Sequence, residues 1–193
     1  GGHNDADAVP VDDFIAASRD VLTKDGQTLS TYGLASGPQG YQPLREFLAK
    51  SLNQRTGMTE SADYILVVSG SLQALDLVND VLLEPGDTVI VEEATYQGTL
   101  QRFDRLGVRH IGAPLDADGI QMDALERILE GLKAEGTSAK YIYTIPTVQN
   151  PTGSVMPEFR RLELLALARR FDVPIFEDDC YADLTFDGAR PKA

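Results

Sequence analysis

The chain has 193 residues, 42% of them hydrophobic and 24% charged, a size and composition that bury a core and suit one domain or one and a half. Its formal net charge of −13 repels phosphate backbones, so this segment is a poor binder of nucleic acid by itself.

In chain order, the apolar spacing predicts a helix over Val11 to Leu22, and a Gly/Pro/Ser-rich loop follows from Gly33 to Gly40. A second helix is expected from Pro43 to Arg55, so residues 1–63 read as an N-terminal arm. From Tyr64 onward, short apolar runs alternate with helical stretches. Tyr64-Ile65-Leu66-Val67-Val68 reads as a strand, and Ser69-Gly70-Ser71 opens a helix carrying Leu72, Leu75, Val78 and Leu82. Glu84-Pro85-Gly86-Asp87 stops it, and Thr88 to Val91 is the next strand. A helix over Gly98–Leu106, a strand over Val108–Ile111, a helix over Met122–Leu132 and a strand over Lys140–Ile145 follow. The last pair is a long helix from Pro157 to Phe171 and a strand, Val173 to Phe176, running into Glu177-Asp178-Asp179. Apolar strands separated by helices imply an α/β domain over 64–193, a mostly parallel sheet with helices on both faces. Ligands of such sheets bind outside the carboxyl ends of the strands.

Four of those ends carry polar groups. Ser69-Gly70-Ser71-Leu72-Gln73 is either a serine-capped helix start or a cradle of free N–H groups for a phosphate. Tyr96, after Glu92-Glu93-Ala94-Thr95, is a half-buried tyrosine or a stacking surface for a flat ring. Asn150, in Gln149-Asn150-Pro151-Thr152-Gly153, belongs to a turn that needs no function or that presents its amide at the sheet edge; the proline favours an extended Asn150. Asp178 lies among carboxylates that form a solvated acidic loop or require a cationic partner. Metal binding has no support, because His3 and His110 are the only histidines and neither shows ligand spacing.

Taken together, these stretches resemble the fold-type I pyridoxal-5′-phosphate (PLP) enzymes, specifically the aminotransferases of class I and II. The branch is similar to the aminoadipate and kynurenine aminotransferases and to the aminotransferase-like domains of MocR-type regulators. Tyr32 with Gly40-Tyr41-Gln42-Pro43-Leu44-Arg45, Glu84-Pro85-Gly86-Asp87 and Glu177-Asp178-Asp179-Cys180-Tyr181 complete the ordered set, which covers nearly the whole chain. The resemblance implies that Gly70, Ser71 and Leu72 hold the cofactor phosphate and that Tyr96 stacks on its ring. Asp178 then pairs with the ring nitrogen. Asn150 and Tyr181 donate to the phenolic oxygen, Asn150 also holding the substrate carboxylate. Tyr32 reaches the phosphate in a neighbouring subunit, which implies a homodimer, and the opening segment with Gly2 contacts substrate.

The family's Schiff-base lysine and its substrate-clamping arginine find no match; Lys192 is read as a surface lysine, and this segment alone is expected to be inactive. Cys180 stands where the family commonly has proline, and as the single cysteine it fits a reducing compartment. No apolar run reaches the roughly 18 residues a membrane helix needs, and residues 1–5 do not resemble a signal peptide, so the expected location is the cytoplasm. The implied activity is amino transfer from an amino acid to a 2-oxo acid. Two alternatives use the same fold: a PLP-binding effector domain of a transcription regulator, and a PLP-dependent lyase.

Overall fold

The computed structural model describes residues 5–33 and 35–184, and the chain divides into two compact units between Val67 and Val68. In the second unit the run Val89-Ile90-Val91 forms the middle of β1 (Thr88–Glu92), every residue of which is buried. A continuous apolar run of this kind suits a strand covered on both faces. β1 pairs in parallel with β2 (Arg109–Ala113) on one side and β5 (Ala139–Thr144) on the other, and β5 pairs in parallel with β6 (Ile175–Glu177). The order is therefore β2-β1-β5-β6.

Successive side chains of a strand face opposite ways, and the two faces build two cores. Ile90 and Ile142 pack with Leu125 and Leu129 of α5 (Met122–Ala134) and with Leu164 and Ala168 of α6 (Glu158–Phe171). Val89, Val91, Tyr141 and Tyr143 pack with Leu75 of α3 (Ser71–Leu82) and Phe103 of α4 (Gln97–Leu106). The expected parallel sheet with helices on both faces is thus what the chain adopts. Polar ties add to the packing: the Tyr141 hydroxyl donates to Asn79 Oδ1 at 2.5 Å, and the Arg102 guanidinium on α4 lies 2.7 Å from Asp76 on α3. From β1 the chain steps outward to β2 and then returns to β1's other side as β5. Between β1 and β5 the direction of winding switches, the place where sheets of this kind bind ligands.

The first unit contains α1 (Val11–Asp25) and α2 (Gln42–Thr56). Arg45, buried on α2, donates to the carbonyls of Gly40, Ala62 and Ser36 and so ties down the Gly/Pro/Ser-rich loop. Gly40 sits at φ +105 with Val67 so close that a Cβ there would meet it at 2.8 Å.

Two parts of the chain differ from expectation. Tyr64–Val68 is not a strand: Ala62–Tyr64 forms a short 3-10 turn, and the Val67 N–H bonds to the Gln39 carbonyl. A five-residue apolar run fits a loop as well as a strand, and here Tyr64 and Leu66 remain exposed. Conversely, a small antiparallel hairpin, β3 (Leu115–Asp116) with β4 (Gly119–Ile120), appears where only a connection was expected. Its turn is held by the Asp118 N–H on the Asp116 carboxylate, with Gly119 at φ +96. Among the described residues no helix is long and apolar enough to cross a membrane.

Candidate active site

The start of α3 lacks a side-chain cap. Gly70, at φ +95, is its N-cap residue, and the serine cap allowed by the sequence is not made. The Ser69 N–H instead bonds to the Gln73 side chain at 2.6 Å, and Gln73 and Ala74 direct their own N–H groups to the Gly70 carbonyl. An uncapped helix start of this kind aims backbone donors and the positive end of the dipole outward, a donor set suited to an anion.

The helix start shares a cleft of about 150 Å³ with the end of β6 and with the start of α4. Ser71 and Leu72 of α3, Tyr96, Phe176 of β6, and Asp178 and Asp179 just beyond it are among the residues that line it. Three of the sequence-predicted segments are therefore brought together. Tyr96 precedes α4, and its ring lies over Gly98, where an added Cβ would meet ring carbons at 2.5 and 2.7 Å and the hydroxyl at 2.8 Å. Only glycine at that position leaves room for the ring as it stands.

Asp178 follows β6, and its N–H continues the ladder to the Thr144 carbonyl. Its Oδ2 accepts from the Tyr143 hydroxyl at 2.6 Å. Tyr143 is wholly buried and stacks on Phe176, with ring centroids 5.7 Å apart. Burial first, and then the Asp178 carboxylate, hold the Tyr143 phenol well above its ordinary range, so it stays protonated and donates. This carboxylate thus accepts from a phenol, and the Cys180 thiol bonds to it as well. Its neighbour Glu177 has a cation, the Arg161 guanidinium at 3.6 Å.

Asn150 does not line the cleft; it sits half-buried in the turn that follows β5, with the Asn150–Pro151 peptide cis. The turn is anchored by Gln149, which is buried, and by Glu92 at the end of β1, which is 1% exposed. Glu92 accepts from the Thr144 hydroxyl, the Ile145 N–H and the Gln149 amide at 2.6, 3.0 and 2.7 Å. Burial lifts the Glu92 carboxyl above its ordinary value, while donors from Gln149, Thr144 and Ile145 pull the other way. Tyr181, partly buried, lies three residues past Asp178 and is not among the residues lining the cleft. Tyr32 belongs to the first unit and is fully exposed at φ +51, and Gly2 and Lys192 fall outside the described residues. Cys180 is exposed. Among the described residues no cluster of three or more His, Cys, Asp or Glu is placed to hold a metal ion.

Tyr143, Glu92, Gln149 and Gly98 escape a reading of the sequence. One hint existed for Glu92 alone: a polar group ending a buried strand, level with Thr144 at the end of β5, though not the partners that give it meaning.

The family model for aminotransferases of class I and II matches residues 2–193. The chain belongs to this family. An aromatic-amino-acid aminotransferase of Thermococcus litoralis is 39% identical over 192 residues, which is 100% of this chain and 45% of that protein. An uncharacterised HTH-type transcriptional regulator of Bacillus subtilis is 34% identical over 92% of this chain and 35% of its own length. Among solved structures, the α-aminoadipate aminotransferase of Thermus thermophilus, complexed with N-(5′-phosphopyridoxyl)-L-leucine, superposes with a TM-score of 0.85 at 32% identity. The match covers 98% of this chain and 45% of that one. The chain spans under half the length of the curated relatives it matches.

Proposed function

We propose that the protein to which this chain belongs transfers an amino group between an amino acid and a 2-oxo acid, with PLP as its cofactor. One observation carries the reading: an uncapped helix start at Gly70-Ser71-Leu72 and the Asp178 carboxylate line the same cleft, with Tyr96 along it. A phosphorylated pyridine needs donors for its phosphate and an acceptor for a ring N–H, and both kinds of group line this cleft.

In this reading the backbone N–H groups of Ser71 and Leu72, with the Ser71 hydroxyl, hold the phosphate. Asp178, whose Oδ2 accepts from the Tyr143 hydroxyl, meets the ring nitrogen. A carboxylate there keeps that nitrogen protonated in a partly desolvated site. Tyr96 covers the ring face, and Asn150 and Tyr181 donate to the phenolic oxygen, Asn150 also meeting the substrate carboxylate. The bound cofactor supplies an electron sink that the protein's side chains lack. Anchoring at both ends fixes where that sink stands relative to substrate.

Residues 1–63 then form an N-terminal arm and 64–193 the first part of the cofactor-binding domain. The exposed Tyr32 reaches the phosphate of a second subunit in a cytoplasmic homodimer, and Gly2 contacts substrate. The names of the relatives make aromatic amino acids and 2-aminoadipate the substrates to assay first.

The test uses the full reading frame. Purified protein is expected to show the visible absorbance of bound PLP and oxo-acid-dependent amino transfer. Asp178→Ala should cost on the order of 10³-fold in kcat/KM, and unchanged spectrum and rate in both Asp178→Ala and Asn150→Ala would overturn the site. The regulator among the relatives favours a second reading, a PLP-binding effector domain. Cofactor binding without amino transfer, together with a DNA-binding segment elsewhere in the frame, would select it; release of ammonia or carbon dioxide would instead select a lyase.

A further inference from the structure

The turn that carries Asn150 and the segment that leads to Tyr96 leave different strands, and one buried carboxylate ties them together. Glu92 Oε1 fixes the end of β5 through the Thr144 hydroxyl and the Ile145 N–H. Its Oε2 accepts from Gln149 Nε2, and the same nitrogen donates to the Ala94 carbonyl at 2.6 Å, two residues before Tyr96. The Gln149 side-chain oxygen accepts the Thr152 N–H at 2.8 Å. Its backbone takes part too, the N–H bonding to the Ser154 carbonyl and the carbonyl accepting from Gly153. Asn150 is thus held on both flanks through one side chain, and that side chain is oriented by Glu92.

We propose that Glu92 is a positioning residue that, acting through Gln149, sets Asn150 against the phenolic oxygen of the cofactor; the inference rests on the PLP reading above. The chemistry of the position argues for more than packing. A buried carboxylate is costly, and an apolar residue of similar volume would fill the space at less expense. Only a carboxylate accepts on both oxygens, and both meet donors: the Ile145 N–H at one, the Gln149 amide at the other. Glutamine at 92 could keep an oxygen toward Thr144 and Ile145, but its NH₂ would then face the NH₂ of Gln149. The isosteric change therefore breaks the tie to the Asn150 turn and spares the tie to β5.

The experiment follows the visible band of bound PLP as a function of pH in the full-length holoenzyme, alongside the melting temperature. A neutral donor on the phenolic oxygen draws its charge away from the adjacent proton, so removing that donor moves the titration midpoint upward. Asn150→Ala is expected to raise the midpoint by about 1 pH unit, the size of one such hydrogen bond. Glu92→Gln should raise it by most of that amount, and Glu92→Gln/Asn150→Ala should go no further than Asn150→Ala alone. Loss of the Glu92 charge acting directly would move the midpoint downward, which separates that effect from positioning.

A lower melting temperature in Glu92→Gln with an unmoved or lowered midpoint makes Glu92 merely structural and overturns the inference, as do additive shifts in the double variant. If Glu92→Gln does not fold, Gln149→Ala, which keeps the ties of Glu92 to β5, carries the same expectation, and an unmoved midpoint there overturns it. A wild-type protein without the band, or an Asn150→Ala variant that leaves the band unmoved, overturns the PLP reading and this inference together. A normal band that responds to Asn150 but not to Glu92 or Gln149 overturns this inference alone.

Discussion

The two units of this chain are stabilised in different ways. Past Val68, a sheet whose central strand is wholly buried has an apolar core on each face. Before it, α1 buries no residue, α2 buries only Arg45 and Ala49, and Phe14, Ile15 and Phe47 are each more than half exposed. What order the first unit has comes largely from hydrogen bonds. Arg45 gathers three carbonyls, and Asn53 bonds both the N–H and the carbonyl of Glu60. Burial of apolar area scales with the number of groups removed from water, whereas one guanidinium fixes only the groups it reaches. The cleft accordingly stands on the unit with cores of its own.

Truncating one phenylalanine in each unit gives the widest separation. Phe103→Ala removes a ring that is 0% exposed and packs 6.3 Å from Tyr141, so it should cost about 3–5 kcal/mol in a denaturant titration. Phe47→Ala, at a position 65% exposed, should stay within about 0.5 kcal/mol. Equal costs would break the comparison. Arg45→Ala comes next: stranding the carbonyls of Ser36, Gly40 and Ala62 should cost about 2–3 kcal/mol locally. Amide exchange should speed up in α2 and leave β1 and β5 protected; acceleration throughout the sheet would show that the units unfold as one.

Tyr143→Phe sharpens the contrast within the sheet unit, since it keeps the ring stacked on Phe176 and deletes only the donor to Asp178. PLP affinity, followed by fluorescence quenching, should fall about tenfold with little change in melting temperature. The smallest effects are expected at the glycines that end α2 and α4. Gly57 at φ +77 and Gly107 at φ +69 both occupy the left-handed region, and alanine at either costs about 1 kcal/mol. Thermal melting monitored on the sheet unit should register Gly107→Ala and not Gly57→Ala.

Sequence patterns exposed the sheet because its signals are local. Val89 to Val91 is an unbroken apolar run, and α5 repeats its apolar residues at Leu125, Leu129 and Leu132. Tyr64–Val68 misled for the same reason, since a run that short carries no information about whether a partner strand is present. β3 and β4, two residues each, are too short to show an alternation. Ser71 and Asp178 were legible as polar residues at the boundaries of apolar elements. Glu92 was not, because its meaning lies in partners 52 to 57 residues away, and the Tyr143 hydroxyl finds its acceptor 35 residues on. Such pairings arise only once β1, β5 and β6 lie side by side.

The sheet face that carries the cleft is aromatic, with Tyr141 and Tyr143 both inside it, and the chain has no tryptophan. Intrinsic chromophores are therefore built into the wall behind Asp178. Near-ultraviolet circular dichroism of the unlabelled protein will watch that wall order and loosen, giving a native optical gauge of the pocket's integrity before any ligand is added.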